Sequence, residues 1–127
     1  NILFPSDYLT KYKPEELQPI LKIARMHQAR FTLLHVNEEN GLSDAQKDHK
    51  AHLERHLEEL DYETVELDGQ LMPDAVLRYI EEHPVDLLVM MNRKHSFFER
   101  LLVRQNVDQI GFHVQIPFVV VPDTSET

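Results

Sequence analysis

Five basic side chains fall within twelve residues of this chain, between residues 93 and 104. Arginine and lysine hold phosphate groups through charge and, in the case of arginine, through forked hydrogen bonds. Loops that bind phosphate are more often rich in glycine, because bare backbone N–H groups can then close on the anion. This segment contains no glycine. An anion bound here would therefore be held by side chains, namely Arg93, Lys94, His95, Arg100 and Arg104.

The place of this basic segment in the chain is that of a ligand crevice. It follows residues 86–91, a nearly continuous apolar run that predicts a central strand covered on both faces. In open α/β sheets, ligands bind outside the carboxyl ends of such strands. Three interpretations stay open: a site for a phosphorylated ligand, a contact with an acidic protein, or a solvated surface. In the last case Phe97, Phe98, Leu101 and Leu102 would cover the core.

Strand-like and helix-like patterns alternate along the chain and predict an α/β fold with a parallel sheet and right-handed crossovers. Apolar or alternating runs predict strands at residues 2–5, 31–36, 62–67, 86–91 and 117–121. The first helix contains Pro19, and because an interior proline removes a backbone bond, we expect the regular helix to begin only at residue 18 or 19.

N-cap residues and prolines indicate where the other predicted helices begin and end. Ser43 is a plausible N-cap for a long second helix that ends near Leu60. Pro73 suits the first turn of a third helix, which His83 and Pro84 would end. A last helix is predicted over about residues 103–113.

Bulk composition narrows the classes of function. The chain has 127 residues, so we expect a single domain over residues 1–122 with a polar tail at 123–127. Its formal charge is −9, so we expect neither nucleic acid nor a membrane as a partner. It has no cysteine, which excludes disulfides and fits a reducing cytoplasm. Because the sequence starts inside a predicted strand without methionine, we also expect that it is trimmed or is the second part of a longer, tandem protein.

Three histidines, His49, His52 and His56, share one stripe of the predicted second helix. The first and last are seven residues apart, about 10 Å along a helix axis, which is too far for one tetrahedral metal ion. At most a neighbouring pair could chelate, so we predict no metal site and interpret all three as boundary residues. His35 lies inside a predicted strand and is expected in the core or in a pocket wall. No nucleophile elbow or P-loop is present, which favours a binding module over an enzyme.

The order of these elements, and the residues at their ends, resemble the universal stress protein family over essentially the whole chain. The landmarks are residues 2–7, which end in Pro5-Ser-Asp7, residues 32–36, Gly69, residues 86–90 and residues 113–122. The resemblance implies an open five-stranded parallel sheet in the order 3-2-1-4-5 with helices on both faces. This is the Rossmann-like arrangement of the adenine nucleotide alpha hydrolases.

The resemblance also implies where a nucleotide pocket would lie. In family members that bind ATP, the fourth strand is followed by Gly, two residues, Gly, nine residues, and then Gly with Ser or Thr. Those four places fall here on Met91, Lys94, Arg104 and Gln105, and none of them matches. The remaining pocket positions are kept, with Pro5 and Asp7 on the adenosine side, Val36 after the second strand and Met90 beside the place of the first glycine. The base-and-ribose half therefore resembles a binder and the triphosphate half does not, so no ATP cofactor is expected.

Asp7 at the end of a strand could also be a phosphoacceptor, as in response-regulator receiver domains, but this role is disfavoured. Those domains need further acidic residues for Mg²⁺ and a Lys after the last strand.

Taken with the resemblance, the sequence predicts a cytoplasmic, non-catalytic stress-response module. The last strand, residues 117–122, is an apolar edge in the implied order, and we expect pairing through it, either as a homodimer or between tandem domains. One alternative is a nucleotide or phospho-ligand sensor that uses Arg93, Lys94, Arg100 and Arg104 in place of the glycine loop. Slow ATP hydrolysis is a second, less favoured alternative.

Overall fold

The computed structural model describes residues 1–8, 11–37, 41–68, 72–92 and 117–122. Within these residues strands and helices alternate as predicted. In chain order they are β1 (Ile2–Pro5), α1 (Pro14–His27), β2 (Arg30–Val36), α2 (Asp44–Leu57), β3 (Asp61–Leu67), α3 (Met72–Glu82), β4 (Leu87–Asn92) and β5 (Phe118–Pro122). The predicted helix over residues 103–113 lies outside the described residues.

The five strands form one sheet in the order β3-β2-β1-β4-β5, and every neighbouring pair is parallel. Strand β1 lies in the middle, with Ile2 opposite Phe31 of β2 on one side and opposite Leu87 of β4 on the other. The predicted order 3-2-1-4-5 is confirmed. Each strand differs from its predicted range by no more than one residue at either end.

The inner strands carry apolar side chains on both faces because helices cover both faces of the sheet. In β1, Ile2 and Phe4 belong to a core cluster that includes residues of α1 and α2, while Leu3 belongs to a second cluster that includes Val76 of α3. Strand side chains alternate between faces, so α1 and α2 cover one face and α3 covers the other. Leu3 and Phe4 are both fully buried, as expected for the middle strand of a parallel sheet.

Helix α1 begins at Pro14, so the prediction that it starts at residue 18 or 19 is wrong. Pro14 occupies the first turn, where its missing N–H is not needed. Pro19 is inside the helix and is exposed, as is Glu15, whose carbonyl the proline leaves without an N–H. Water can solvate that carbonyl on the outer face, and the buried face through Leu17 stays continuous.

Ser43 caps α2 as predicted, since its Oγ accepts from the N–H of Gln46 at 3.1 Å. The Gln46 side chain returns the contact by accepting from the Ser43 N–H at 2.9 Å, which completes a capping box. The helix ends at Leu57 and not near Leu60. The chain turns between them, with the Leu60 N–H donating to the Leu57 carbonyl, because β3 must start at Asp61.

Candidate functional site

The direction of chain progression reverses at β1, and this defines a crevice at the carboxyl edge of the sheet. From β1 the chain continues to β2 and β3 on one side, and it reaches β4 and β5 on the other. Ligands of open α/β sheets bind at such a switch point. Pro5 is the last residue of β1, Val36 is the last of β2, and Met90 lies in β4 two residues beyond Leu88, the partner of Leu3. The structure therefore brings Pro5, Val36 and Met90 to one edge, followed by Asp7 on the next loop.

The other predicted pocket positions are only partly covered. The backbone of Met91 pairs with Val121 of β5 at this edge. Lys94, Arg104 and Gln105 lie outside the described residues, as do Arg93 and Arg100. The cationic replacement of a glycine loop thus stays a prediction.

Ser6 fixes the loop that leaves β1. Its N–H donates to the carbonyl of Leu34 at 2.9 Å, and its own carbonyl accepts from Nδ1 of His35 at 2.9 Å. Its Oγ accepts from the N–H of Tyr8 at 3.1 Å and shares a 3.0 Å hydrogen bond with the hydroxyl of Tyr12. Ser6 is 1 % exposed, so these four contacts satisfy a buried polar residue completely. His35 is 3 % exposed, which confirms that it is a core residue.

Helix α2 clamps the same loop from outside. Three side chains spaced three residues apart along one helix face donate hydrogen bonds to backbone carbonyls of the loop. They are Gln46 Nε2 to Asp7 O at 2.9 Å, His49 Nδ1 to Tyr8 O at 2.8 Å and His52 Nε2 to Tyr12 O at 3.0 Å. All three donors are half-buried, which strengthens these bonds relative to bonds in water.

The clamp gives the histidines of α2 a structural use that the sequence did not reveal. His49 and His52 each donate a hydrogen bond from one ring nitrogen to a backbone carbonyl of the loop. His56 donates from Nδ1 to the His52 carbonyl, one turn earlier in the helix, at 3.0 Å. Within the described part of the chain, no three His, Cys, Asp or Glu side chains are arranged to hold a metal ion. The three-residue spacing of Gln46, His49 and His52 was visible, but their acceptors lie 39 to 41 residues away in sequence.

Tyr8 is the most unusual residue of the loop. Its φ of 59° places a side-chain-bearing residue in the left-handed region, which such residues rarely adopt. The side chain is 1 % exposed and its ring stacks on His35 with centroids 4.7 Å apart. Its hydroxyl is buried without a hydrogen-bond partner among the described residues. Burial, and next the negative charges of Glu54 and Glu66, raise the pKa of the Tyr8 hydroxyl well above its ordinary value.

Together these contacts fix the backbone of residues 6–8, which follow β1 at the carboxyl edge of the sheet. The Asp7 backbone is held by Gln46, and its half-buried side chain follows directly on the Ser6 hub. A carboxylate at this place can accept hydrogen bonds from hydroxyl or amino groups, which suits the sugar or base of a nucleoside. Pro5, Val36 and Met90 are apolar residues of the three neighbouring strands at this edge, and all three are buried.

The open parallel sheet, with its switch point at β1 and helices on both faces, places this chain in the class of Rossmann-like α/β domains. The model of the universal stress protein family matches residues 1–122, so the chain belongs to that family. No curated protein matches it in sequence. In the described residues, no helix has both the length and the apolar character needed to cross a membrane.

Solved structures show the same fold at low sequence identity. A universal stress protein from Archaeoglobus fulgidus is 14 % identical, with a TM-score of 0.62 over 94 % of this chain and 96 % of that one. A universal stress protein solved in complex with cAMP is 18 % identical, with a TM-score of 0.63 over 95 % of this chain and 94 % of that one. UspA from Lactobacillus plantarum is 19 % identical, with a TM-score of 0.57 over 95 % and 96 % of the two chains.

Proposed function

We propose that this chain is a non-catalytic, dimerising module of a cytoplasmic stress response, whose nucleotide pocket has kept its base side and lost its triphosphate side. Family membership supports the role in stress response. The observation that carries the dimerising part of the proposal is the position of β5 at one edge of the sheet.

We expect strand β5 to pair again along its outer edge. It is bonded to β4 from Leu88 opposite Phe118 to Asn92 opposite Pro122, and no described residue pairs with its other edge. Between Pro117 and Pro122 it contains only Phe and Val. A flat apolar edge of this kind recruits another strand, which here would come from a second copy or from a second domain of a tandem protein.

The backbone direction within β5 identifies the residues that would pair. The Pro117 carbonyl accepts from the Leu88 N–H at 3.1 Å and so points toward β4. Backbone groups alternate in direction along a strand, so Val119 also faces β4 while Phe118 and Val120 direct theirs outward. A substitution at Val120 can therefore block the outer edge without removing a bond to β4.

The test is the oligomeric state of the purified chain by light scattering. We expect a dimer mass for the unchanged chain and for the control Val120→Thr, which keeps the N–H and nearly the same shape. Val120→Pro removes that N–H and should give a monomer with an unchanged circular dichroism spectrum. A monomeric parent chain, or a Val120→Pro variant that stays dimeric, would contradict pairing through β5.

The pocket supports the non-catalytic part of the proposal. Glycine reaches backbone conformations with positive φ that residues with a β-carbon resist, and it lets the backbone approach a phosphate closely. The motif positions carry Met91, Lys94, Arg104 and Gln105, so neither a glycine cradle nor the Ser or Thr hydroxyl is available for a triphosphate. No cofactor is part of this proposal.

A second candidate function, a sensor of a nucleotide or another phospho-ligand, is favoured by the pre-formed loop around Asp7. Seven hydrogen bonds from Ser6 and α2 hold that loop, and pre-organisation of this kind favours binding. A related family member has been solved with cAMP, a single-phosphate nucleotide that would need no triphosphate cradle.

Titration calorimetry with ATP, ADP, AMP and cAMP, each with Mg²⁺, separates the two candidates. The module predicts no heat with any of them. The sensor predicts binding that the Arg93→Ala and Lys94→Ala double variant abolishes. Binding that survives this double variant but is lost in Asp7→Asn would assign the affinity to the base-and-ribose side.

A further inference from the structure

The opposite edge of the sheet, β3, has outward backbone groups that no described strand uses. Strand β3 pairs with β2 along its whole length, from Asp61 opposite Arg30 to Leu67 opposite Val36, and no other described strand pairs with it. The Leu67 carbonyl accepts from the Asn37 N–H at 2.7 Å and so points toward β2. By alternation, the N–H and C=O groups of Tyr62, Thr64 and Glu66 point away from the sheet.

A groove runs beside this edge on the face covered by α3. Its volume is about 410 Å³, and its lining is part apolar, with Val65, Leu67, Ala75 and Tyr79, and part polar, with Glu63, Arg78, Glu82 and His83. Val65 and Leu67 are only half-buried, because α3 crosses from β3 toward β4 and leaves the outermost strand partly uncovered. The groove is large enough for one or two apolar side chains and lies directly next to the outward backbone groups.

The edge is strongly acidic. Residues 58–68 contain six carboxylates and no lysine or arginine. Among the described residues, three cations from other segments form ion pairs with this stretch, namely Arg25 with Glu59, Arg30 with Glu63 and Lys50 with Glu66. A fourth cation, Arg78, lines the groove. These four cations leave a negative excess, on a protein whose formal charge is already −9. A second copy of this edge would be repelled, and a basic segment would be attracted.

We propose that β3 and the adjoining groove form a docking site for an extended, basic segment of a partner protein, which adds to the sheet as a further strand. Main-chain hydrogen bonds to Tyr62, Thr64 and Glu66 give the affinity, as in other cases of strand addition. An apolar side chain of the segment occupies the groove over Val65 and Leu67. Basic side chains face Asp61 and the other carboxylates of this edge.

Position 64 allows a matched test, because its side chain is exposed and its N–H points outward. Thr64→Pro removes that N–H without removing a bond to β2, while Thr64→Val keeps it. The probe is a fluorescein-labelled decapeptide in which lysine alternates with valine, measured by fluorescence polarisation against the whole chain. Controls are a peptide of the same composition in scrambled order and one with glutamate in place of lysine.

We expect the alternating basic peptide to bind the unchanged chain and Thr64→Val equally, and Thr64→Pro at least about tenfold more weakly. Asp61→Asn should weaken binding, whereas Glu15→Gln, the same loss of charge on α1, should not. Equal binding of the scrambled peptide would mean attraction by charge alone and would overturn the proposal. So would equal binding to Thr64→Pro, or no binding of any peptide, since the carboxylates would then serve only to keep the edge solvated.

Discussion

Nδ1 of His49 donates a 2.8 Å hydrogen bond to the backbone carbonyl of Tyr8, across 41 residues of sequence. This bond joins α2 to the loop that leaves β1, and it holds Tyr8 in the left-handed backbone region. It is one of three such donors, so α2 stabilises the candidate crevice although none of the predicted pocket residues belongs to that helix.

Replacing His49 by Ala should destabilise the fold by about 1–3 kcal/mol, because the half-buried Tyr8 carbonyl then loses its partner. The control is His56→Ala, since His56 bonds only to a carbonyl of its own helix one turn away. Urea denaturation should show a clear loss for the first variant and a smaller one for the second. Equal losses would mean that the clamp adds nothing beyond helix propensity.

Gln46 has two separate tasks, which one pair of variants can distinguish. Its Oε1 accepts from the Ser43 N–H in the capping box, and its Nε2 donates to the Asp7 carbonyl. Gln46→Glu keeps the acceptor and loses the donor, while Gln46→Ala loses both. If the two contacts contribute independently, each accounts for roughly 0.5–1.5 kcal/mol of unfolding free energy, and Gln46→Ala is the less stable variant. A Gln46→Glu variant as stable as the parent would show that the Asp7 contact is dispensable.

Tyr8→Phe should leave the protein as stable as the parent at neutral pH, or more stable by about 1 kcal/mol, because it removes a buried hydroxyl that has no partner among the described residues. The ring and its stacking on His35 are retained. Thermal or urea denaturation at pH 7 measures the difference. A loss above about 1 kcal/mol would mean that the hydroxyl does have a partner, such as an ordered water.

The same substitution predicts a change in alkaline behaviour. The folded state raises the pKa of the Tyr8 hydroxyl, so the unfolded chain releases this proton first, near pH 10. Below about pH 10 the hydroxyl is protonated in both states and adds no pH dependence, and as the pH rises further its ionisation in the unfolded chain progressively lowers the free energy of unfolding. Tyr8→Phe should lose less stability than the parent between about pH 9 and 11. Because the two proteins differ in no other titratable group, parallel curves would contradict a raised pKa at Tyr8.

The two prolines of α1 should respond in opposite ways to alanine. Pro19 lies inside the helix and Pro14 in its first turn. Pro19→Ala restores a donor for the Glu15 carbonyl and should stabilise the fold by about 1–3 kcal/mol. Pro14→Ala should be neutral or slightly destabilising, since proline suits that position. A stabilisation by Pro14→Ala as large as that by Pro19→Ala would show that helix propensity alone explains both.

The sheet could be predicted because its strands are short apolar runs with distinct ends, and because their order follows from resemblance to a family. The start of α1 could not be predicted from the sequence. The rule that an interior proline ends a helix does not consider whether the proline lies on the buried or the solvent-exposed face. Pro19 is exposed, so water can solvate the freed carbonyl and the helix continues through the proline. Ser43 was predictable as a cap because cap and helix are adjacent in sequence.

The clamp around Asp7 was beyond prediction for a different reason. His49 and His52 look like ordinary boundary residues of a helix until the fold brings them against Tyr8 and Tyr12. Their role depends on a contact between a loop and a helix some 40 residues apart. Sequence periodicity identifies the face of a helix and does not identify the backbone atoms that face will meet.

The carboxylates of β3 also limit how many identical chains can join through their sheet edges. The sheet formed by the described residues has one apolar edge, β5, and one acidic edge, β3, and two acidic edges repel each other. Identical chains that pair β5 to β5 therefore leave outward, among the described strands, only two acidic β3 edges, which repel the same edge of another pair. Self-association of this kind has a valence of one and ends at a closed pair instead of continuing into a filament.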